Sequence, residues 1–243
     1  MVAFILAWLI AMSTPPRLEL DHVFIVVTPG GNAEIAALRA GGLTVSTTPN
    51  RHEGQGTASV AAFFGNAYLE LIWVDSSVSV DADHPQTFLA FQTASAWRTN
   101  GASPFGIGLR RAPGDTADLG VPVTREPASW LPPGQAYELL RQDTEPRAHD
   151  LFIVPPSAAV PVWVERRRER APHLFQHAEP ASELTAIRIH GTNEQHTTAL
   201  LTLHPARVEP VTDSMPLLEV VLDGGRQGKR TDMRPVLPLI LVR

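Results

Sequence analysis

The 243-residue chain is 44% hydrophobic and 19% charged, carries a formal net charge of -5 and contains no cysteine. This excludes disulfide scaffolds, thiol nucleophiles, iron–sulfur clusters and cysteine zinc sites, so any metal must be held by His and carboxylates. The basic residues are scattered apart from Arg166, Arg167, Arg168 and Arg170, which are mixed with Glu165 and Glu169 after an apolar run. That cluster reads as a solvated strand end, and nucleic acid is not an expected partner.

In chain order, residues 1–17 open with the apolar run Val2–Ala11, shorter than the roughly 20 residues a membrane span needs and without the basic flank of a secretory signal. An apolar leader or unstructured N-terminus is expected, with no stable membrane insertion and a cytoplasmic location. Leu20–Val27 is rich in β-branched and aromatic residues and ends at Thr28-Pro29-Gly30-Gly31, the pattern of a strand entering a turn. A helix follows, with Asn32 as N-cap, Glu34 in its first turn and Gly41 just past its end. Three strands are then expected at Leu43–Thr48, Thr57–Phe64 and Ala67–Val74, completing a β-α-β-β-β unit.

The same order recurs more faintly, with strands at Phe105–Arg110, Tyr137–Arg141, Leu151–Val154 and Val160–Val164. A third strand-rich stretch holds Leu184–Ile189 and Leu237–Val242, which echo the opening and closing strands of the first unit. The 22 prolines argue for short strands and loops over long helices.

Strand alternation places Leu20, His22, Phe24 and Val26 on one face, and Tyr68, Glu70, Ile72 and Val74 on one face of the closing strand. A carboxylate inside YLELIWV is costly to bury unless it is paired, hydrogen-bonded or cation-bound, and a His on a neighbouring face offers one solution. The competing reading is plain: a lone strand His is more often a satisfied core group, and a strand Glu more often faces solvent. The glycine-rich loop His52-Glu53-Gly54-Gln55-Gly56-Thr57 lies between them, where glycines let the backbone approach a ligand.

The run L-D-H-V-F-I-V-V at Leu20–Val27, H-E-G-Q-G-T at His52–Thr57 and F-G-N-A-Y-L-E-L-I at Phe64–Ile72 resembles, in that order, the glyoxalase-like branch of the vicinal oxygen chelate superfamily. The resemblance covers about the first third of the chain. It implies an α+β fold of repeated β-α-β-β-β modules whose curled mixed sheets form a cup, with a glyoxalase-like domain over 18–180 (modules about 18–80 and 103–170) and a strand-rich module over 181–243 packed on it. It also implies that His22 and Glu70 are metal ligands, that Glu70 and His52 are catalytic, and that His52, Gly54, Gly56, Thr57 and Trp73 line the substrate cup. The cofactor would be one divalent ion, Fe, Mn, Ni, Co or Zn, or none where the metal has been lost.

The second unit departs from the pattern. Aligned by repeat, His22 falls on Gly106 and Ala186, and Glu70 on Val160 and Pro238. Substitute ligands are sought in His149, Glu165, His173 and His177, and His177 is chosen as the third. His84, His190, His196 and His204 are expected to be structural or exposed, and Trp73, Trp97, Trp130 and Trp163 to be core or cup-lining. The functional expectation is a divalent-metal-dependent lyase, isomerase or dioxygenase acting on a small oxygenated metabolite. The alternative is a non-catalytic protein of the same fold that sequesters a small molecule, and a homodimer accords with either.

Overall fold

In the computed structural model, residues 17–81, 85–140, 150–191, 200, 203–213 and 215–243 are described. Strands β1 (Leu18–Val26), β2 (Asn50–His52), β3 (Thr57–Phe63), β4 (Tyr68–Val74), β5 (Phe105–Arg111), β6 (Thr124–Glu126), β7 (Tyr137–Leu139) and β8 (Asp150–Ile153) form one mixed sheet. Its order, β2-β3-β4-β1-β5-β8-β7-β6, places two four-stranded halves side by side. Each half has its opening strand parallel to its closing strand, β1 with β4 and β5 with β8, and the halves meet in the antiparallel pair β1–β5. The sheet curls into a half-barrel, as the α+β expectation requires.

Period-2 alternation decides what each face of that sheet carries. Val23, Ile25, Leu69, Leu71, Ile107, Leu109, Leu151 and Ile153 point to the main core. On the far side of this core lies a second sheet of β9 (Leu184–His190), β10 (Val208–Val211), β11 (Leu217–Leu222), β12 (Arg230–Asp232) and β13 (Leu239–Val242), which contributes Leu184, Ile187, Ile189, Val220, Leu239 and Leu241. With one face covered in this way, the other face of the half-barrel is left to form the cup. There Phe24, Val26, Ile72 and Phe152 pack with Phe91 of helix α2 (Pro85–Ser95), which covers one end.

Several elements differ from the sequence expectation. Helix α1 (Asn32–Ala40) is preceded by Gly31 as N-cap at φ 58°, so no side chain caps it, and the Glu34 carboxylate accepts Thr28 Oγ1–H at 3.0 Å from the preceding turn. Leu43–Thr48 is not a strand; its one ladder-like bond runs from Ser46 N to Ala61 O. The second half holds no helix between β5 and β6, and Arg141, at the end of the expected strand now seen as β7, lies outside the described residues. Val160–Val164 is not a strand but the start of helix α4 (Val160–Arg170). Pro161 fits the first turn, where no backbone N–H is needed, and the arginines make its solvated last turns. Leu237–Val242 echoes Leu69–Val74 in composition only, since β13 runs parallel to β11 and not to the opening strand β9.

The alternation in β1 also breaks. Leu20 pairs with Leu109 and His22 with Gly108, so Asp21 is an extra residue in a β-bulge. Leu20 therefore joins Val23 and Ile25 in the main core instead of sharing a face with His22.

Across the β1–β5 seam the two glycines of F-G-I-G-L make room for rings. A Cβ on Gly106 would overlap Phe24 Cζ, and one on Gly108 would lie 2.6 Å from His22 Cε1. Substituting Gly106→Ala is expected to cost about 1–3 kcal/mol through overpacking. Urea denaturation checks this, and an unchanged midpoint contradicts the packing described.

Candidate functional site

The half-barrel encloses a cavity of about 630 Å³ lined by residues of β1, β2, β4, β7, β8, α2 and the loop before β7. His22, His52 and Glu70, three of the residues singled out from the sequence, meet at its floor. Trp130 stands half in solvent at its rim, with its ring centroid 6.3 Å from that of His52.

The bulge in β1 determines what His22 can do. In a regular strand Asp21 and His22 would face opposite sides; the extra residue lets Asp21 Oδ1 accept His22 Nδ1–H at 2.9 Å. Asp21 has no solvent exposure. Its second oxygen accepts the first N–H of α4, from Val160, at 2.8 Å, and Arg110 Nη1 lies at 3.5 Å. The His22 ring stacks on Tyr68 with centroids 4.4 Å apart and 10° between planes. With Nδ1 donating to Asp21, Nε2 is the unprotonated nitrogen of the neutral ring and has no hydrogen-bond partner among the described residues.

His52 is held by its own strand pair. Asn50 Nδ2 donates to Nε2 at 2.9 Å, and Nδ1–H therefore donates to Thr57 Oγ1 at 2.9 Å. Nε2 lies 3.8 Å from Glu70 Oε1, too far and with no proton to give it. Burial pushes the His52 imidazole below its ordinary value, against the pull of the Glu70 carboxylate and helped by His22. Burial pushes the Tyr68 phenol well above its ordinary value, reinforced by Glu70 and Asp21, so it remains a neutral O–H. Tyr137 is raised by burial as well, against a lowering hydrogen bond from Trp130.

The other sequence candidates lie elsewhere. Gly54 and Gly56, both at positive φ, give their N–H groups to Ser79 O and shape the loop beside the cup. Thr57 reaches the site only as the hydroxyl that holds His52. Trp73 is in the main core, on the opposite face of β4 from Glu70. His177 is not brought to the cup: its Nδ1 accepts Thr44 N–H at 3.0 Å and its Nε2–H donates to Phe63 O at 3.0 Å. Trp163 packs against Tyr68, where α4 closes one end of the floor. His84, His149 and His196 fall outside the described residues. Of the functional groups, Asp21 escapes sequence reading because alternation assigns it to the wrong face, and no residue of β1 alone announces the bulge.

The position related to Glu70 in the second half is Phe152, not Val160: β4 and β8 occupy equivalent places, and Phe24 pairs with Glu70 as Gly108 pairs with Phe152. Glycine and phenylalanine thus stand where a two-module metal site would take its remaining ligands. Among the described residues no group of three His, Asp or Glu side chains is arranged to hold a metal ion. The donor set around His22 and Glu70 does not fit a divalent ion held by three protein ligands.

A family model described as a glyoxalase-like domain matches residues 20–204. Among solved structures, a hypothetical protein from Staphylococcus aureus is similar at 11% identity, over 92% of this chain and 97% of that one, with a TM-score of 0.46. No curated protein matches the chain.

His177 gives the pH prediction. Burial holds its imidazole below the ordinary value of 6.5, against the raising effect of the Phe63 carbonyl. Below pH 6.5 the unfolded chain then binds a proton that the folded one does not, so the contribution of His177 is full above that pH and shrinks as pH falls. His177→Ala is expected to lose about 1–3 kcal/mol at pH 7.5 by stranding the Thr44 N–H. Chemical denaturation from pH 7.5 to 5 should show the gap between parent and variant closing; a gap that widens contradicts the assignment.

Proposed function

This chain belongs to the glyoxalase-like domain family, and on that premise we propose that its cup binds a small organic molecule on which His22 moves a proton, as in an isomerase or a lyase. The observation that carries this reading is the Asp21–His22 contact. A buried carboxylate on Nδ1 fixes the ring orientation, keeps Nε2 free to accept a proton and stabilises the imidazolium that results. Nε2 takes the proton from a carbon next to a carbonyl, the electron pair moves onto the carbonyl oxygen, and the same nitrogen returns the proton to carbon or oxygen. Tyr68 and Tyr137, kept protonated, are the O–H groups at hand for the oxygen.

A divalent-metal mechanism would need a third ligand, and the residues described above do not supply it. The sequestration reading is favoured by a different observation, the aromatic lining of Phe24, Tyr68, Phe91, Trp130, Tyr137 and Phe152, which suits tight binding without chemistry.

Proton NMR in D2O on a panel of small α-hydroxy and α-amino ketones separates the two. Deuterium is expected at the carbon next to the carbonyl of at least one compound, with the rate falling about 100-fold or more in His22→Asn, the usual scale of general-base loss. Binding of panel members with no exchange in any of them supports sequestration and overturns the catalytic reading.

A further inference from the structure

Among the described residues, the floor of the cup offers acceptors and no cation. Glu70 is 8% exposed, and among the described residues no hydrogen bond reaches its carboxylate. Its nearest ionisable neighbour, His52, has its proton on the other side of the ring, committed to Thr57. His22 likewise spends its Nδ1 proton on Asp21 and presents the lone pair of Nε2. Two acceptors are therefore open to the cup, the Glu70 carboxylate and His22 Nε2, whereas His52 Nε2 already accepts Asn50 Nδ2–H. A largely buried carboxylate without a protein donor marks a place where a ligand in the cavity supplies what the protein leaves out.

The surroundings define that ligand further. Around the rest of the lining Glu53 and Glu126 add negative charge, and Arg51 is the one guanidinium among the described lining residues. Low-dielectric walls focus this field into the cup. The walls themselves include the rings of Tyr68, Tyr137 and Phe152, whose faces attract cations. Phosphates, carboxylates and sulfates meet no positive group at the floor among the described residues, and a neutral alcohol leaves the Glu70 charge uncompensated.

We propose that the ligand of this cup is a small organic cation, a primary ammonium carrying an aromatic or branched apolar body. Its N–H groups donate to Glu70, and its body lies against the aromatic walls beside the open His22 Nε2. The assignment rests on the reading of the cup as a small-molecule site and names the chemical class it takes.

The test uses the full chain and three probes of matched shape: phenethylammonium, the neutral 2-phenylethanol and the anionic 3-phenylpropionate. Titration calorimetry is expected to show the cation bound at least tenfold more tightly than either of the others. Glu70→Gln is expected to weaken the cation at least tenfold and leave the alcohol unchanged. The same variant, without ligand, is expected to melt at or above the parent, because an uncompensated buried charge has been removed. Equal or tighter binding of the alcohol or the carboxylate, unchanged cation binding in Glu70→Gln, failure of all three probes to bind, or a lower melting temperature of the variant overturns the proposal. Cation preference without proton exchange sinks the catalytic reading alone, whereas exchange on neutral ketones with no cation preference sinks this proposal alone.

Discussion

A carboxylate shut away from water has to be satisfied on every side, and the placing of Asp21 organises much of this molecule. Its two oxygens take a proton from His22 in β1 and the first N–H of α4, with Arg110 of β5 beside them. Arg110 in turn donates to Leu20 O, Asn66 O and Glu19, clamping the strand on both sides of the bulge. One group thus ties the seam between the half-sheets to the helix that closes one end of the cup, and orients the imidazole on the floor. The negative charge also suits the N-terminus of α4, where the unpaired N–H groups and the helix dipole favour an anion.

The strands were legible where one face meets the core and the other meets the cup. In β3, β4, β5 and β8, alternation and β-branched or aromatic content show in the sequence, and each forms close to where it is expected. His22, His52 and Glu70 come together because two of them lie on paired strands and the third on the strand edge leading to them. Reading failed where a local pattern was overruled by a distant contact. Val160–Val164 has the composition of a strand, yet its first N–H caps on Asp21 and Pro161 is at home in a helical first turn. Composition alone has no access to that long-range bond.

The bulge is the deeper case. Nothing within Leu18–Val26 separates a regular strand from one that carries an extra residue; only the partner strand, with Gly108 opposite His22, does. The consequence is chemical. A regular strand would have left His22 as a lone imidazole and buried Asp21 in the apolar core, whereas the bulge puts both on one side as an oriented pair. His177 shows the converse: a His at a suggestive place in the sequence whose two nitrogens are used to fasten Thr44 to Phe63.

Asp21 fixes the proton of His22 on Nδ1 and leaves Nε2 open to the cup. Nitrogen-15 NMR of the histidine side chains, assigned by comparison with His22→Asn, reads this directly. His22 is expected to carry a proton on Nδ1, with a strongly downfield Nδ1 signal that disappears in Asp21→Asn. A His22 protonated on Nε2, or one whose signals are unchanged by Asp21→Asn, would contradict it.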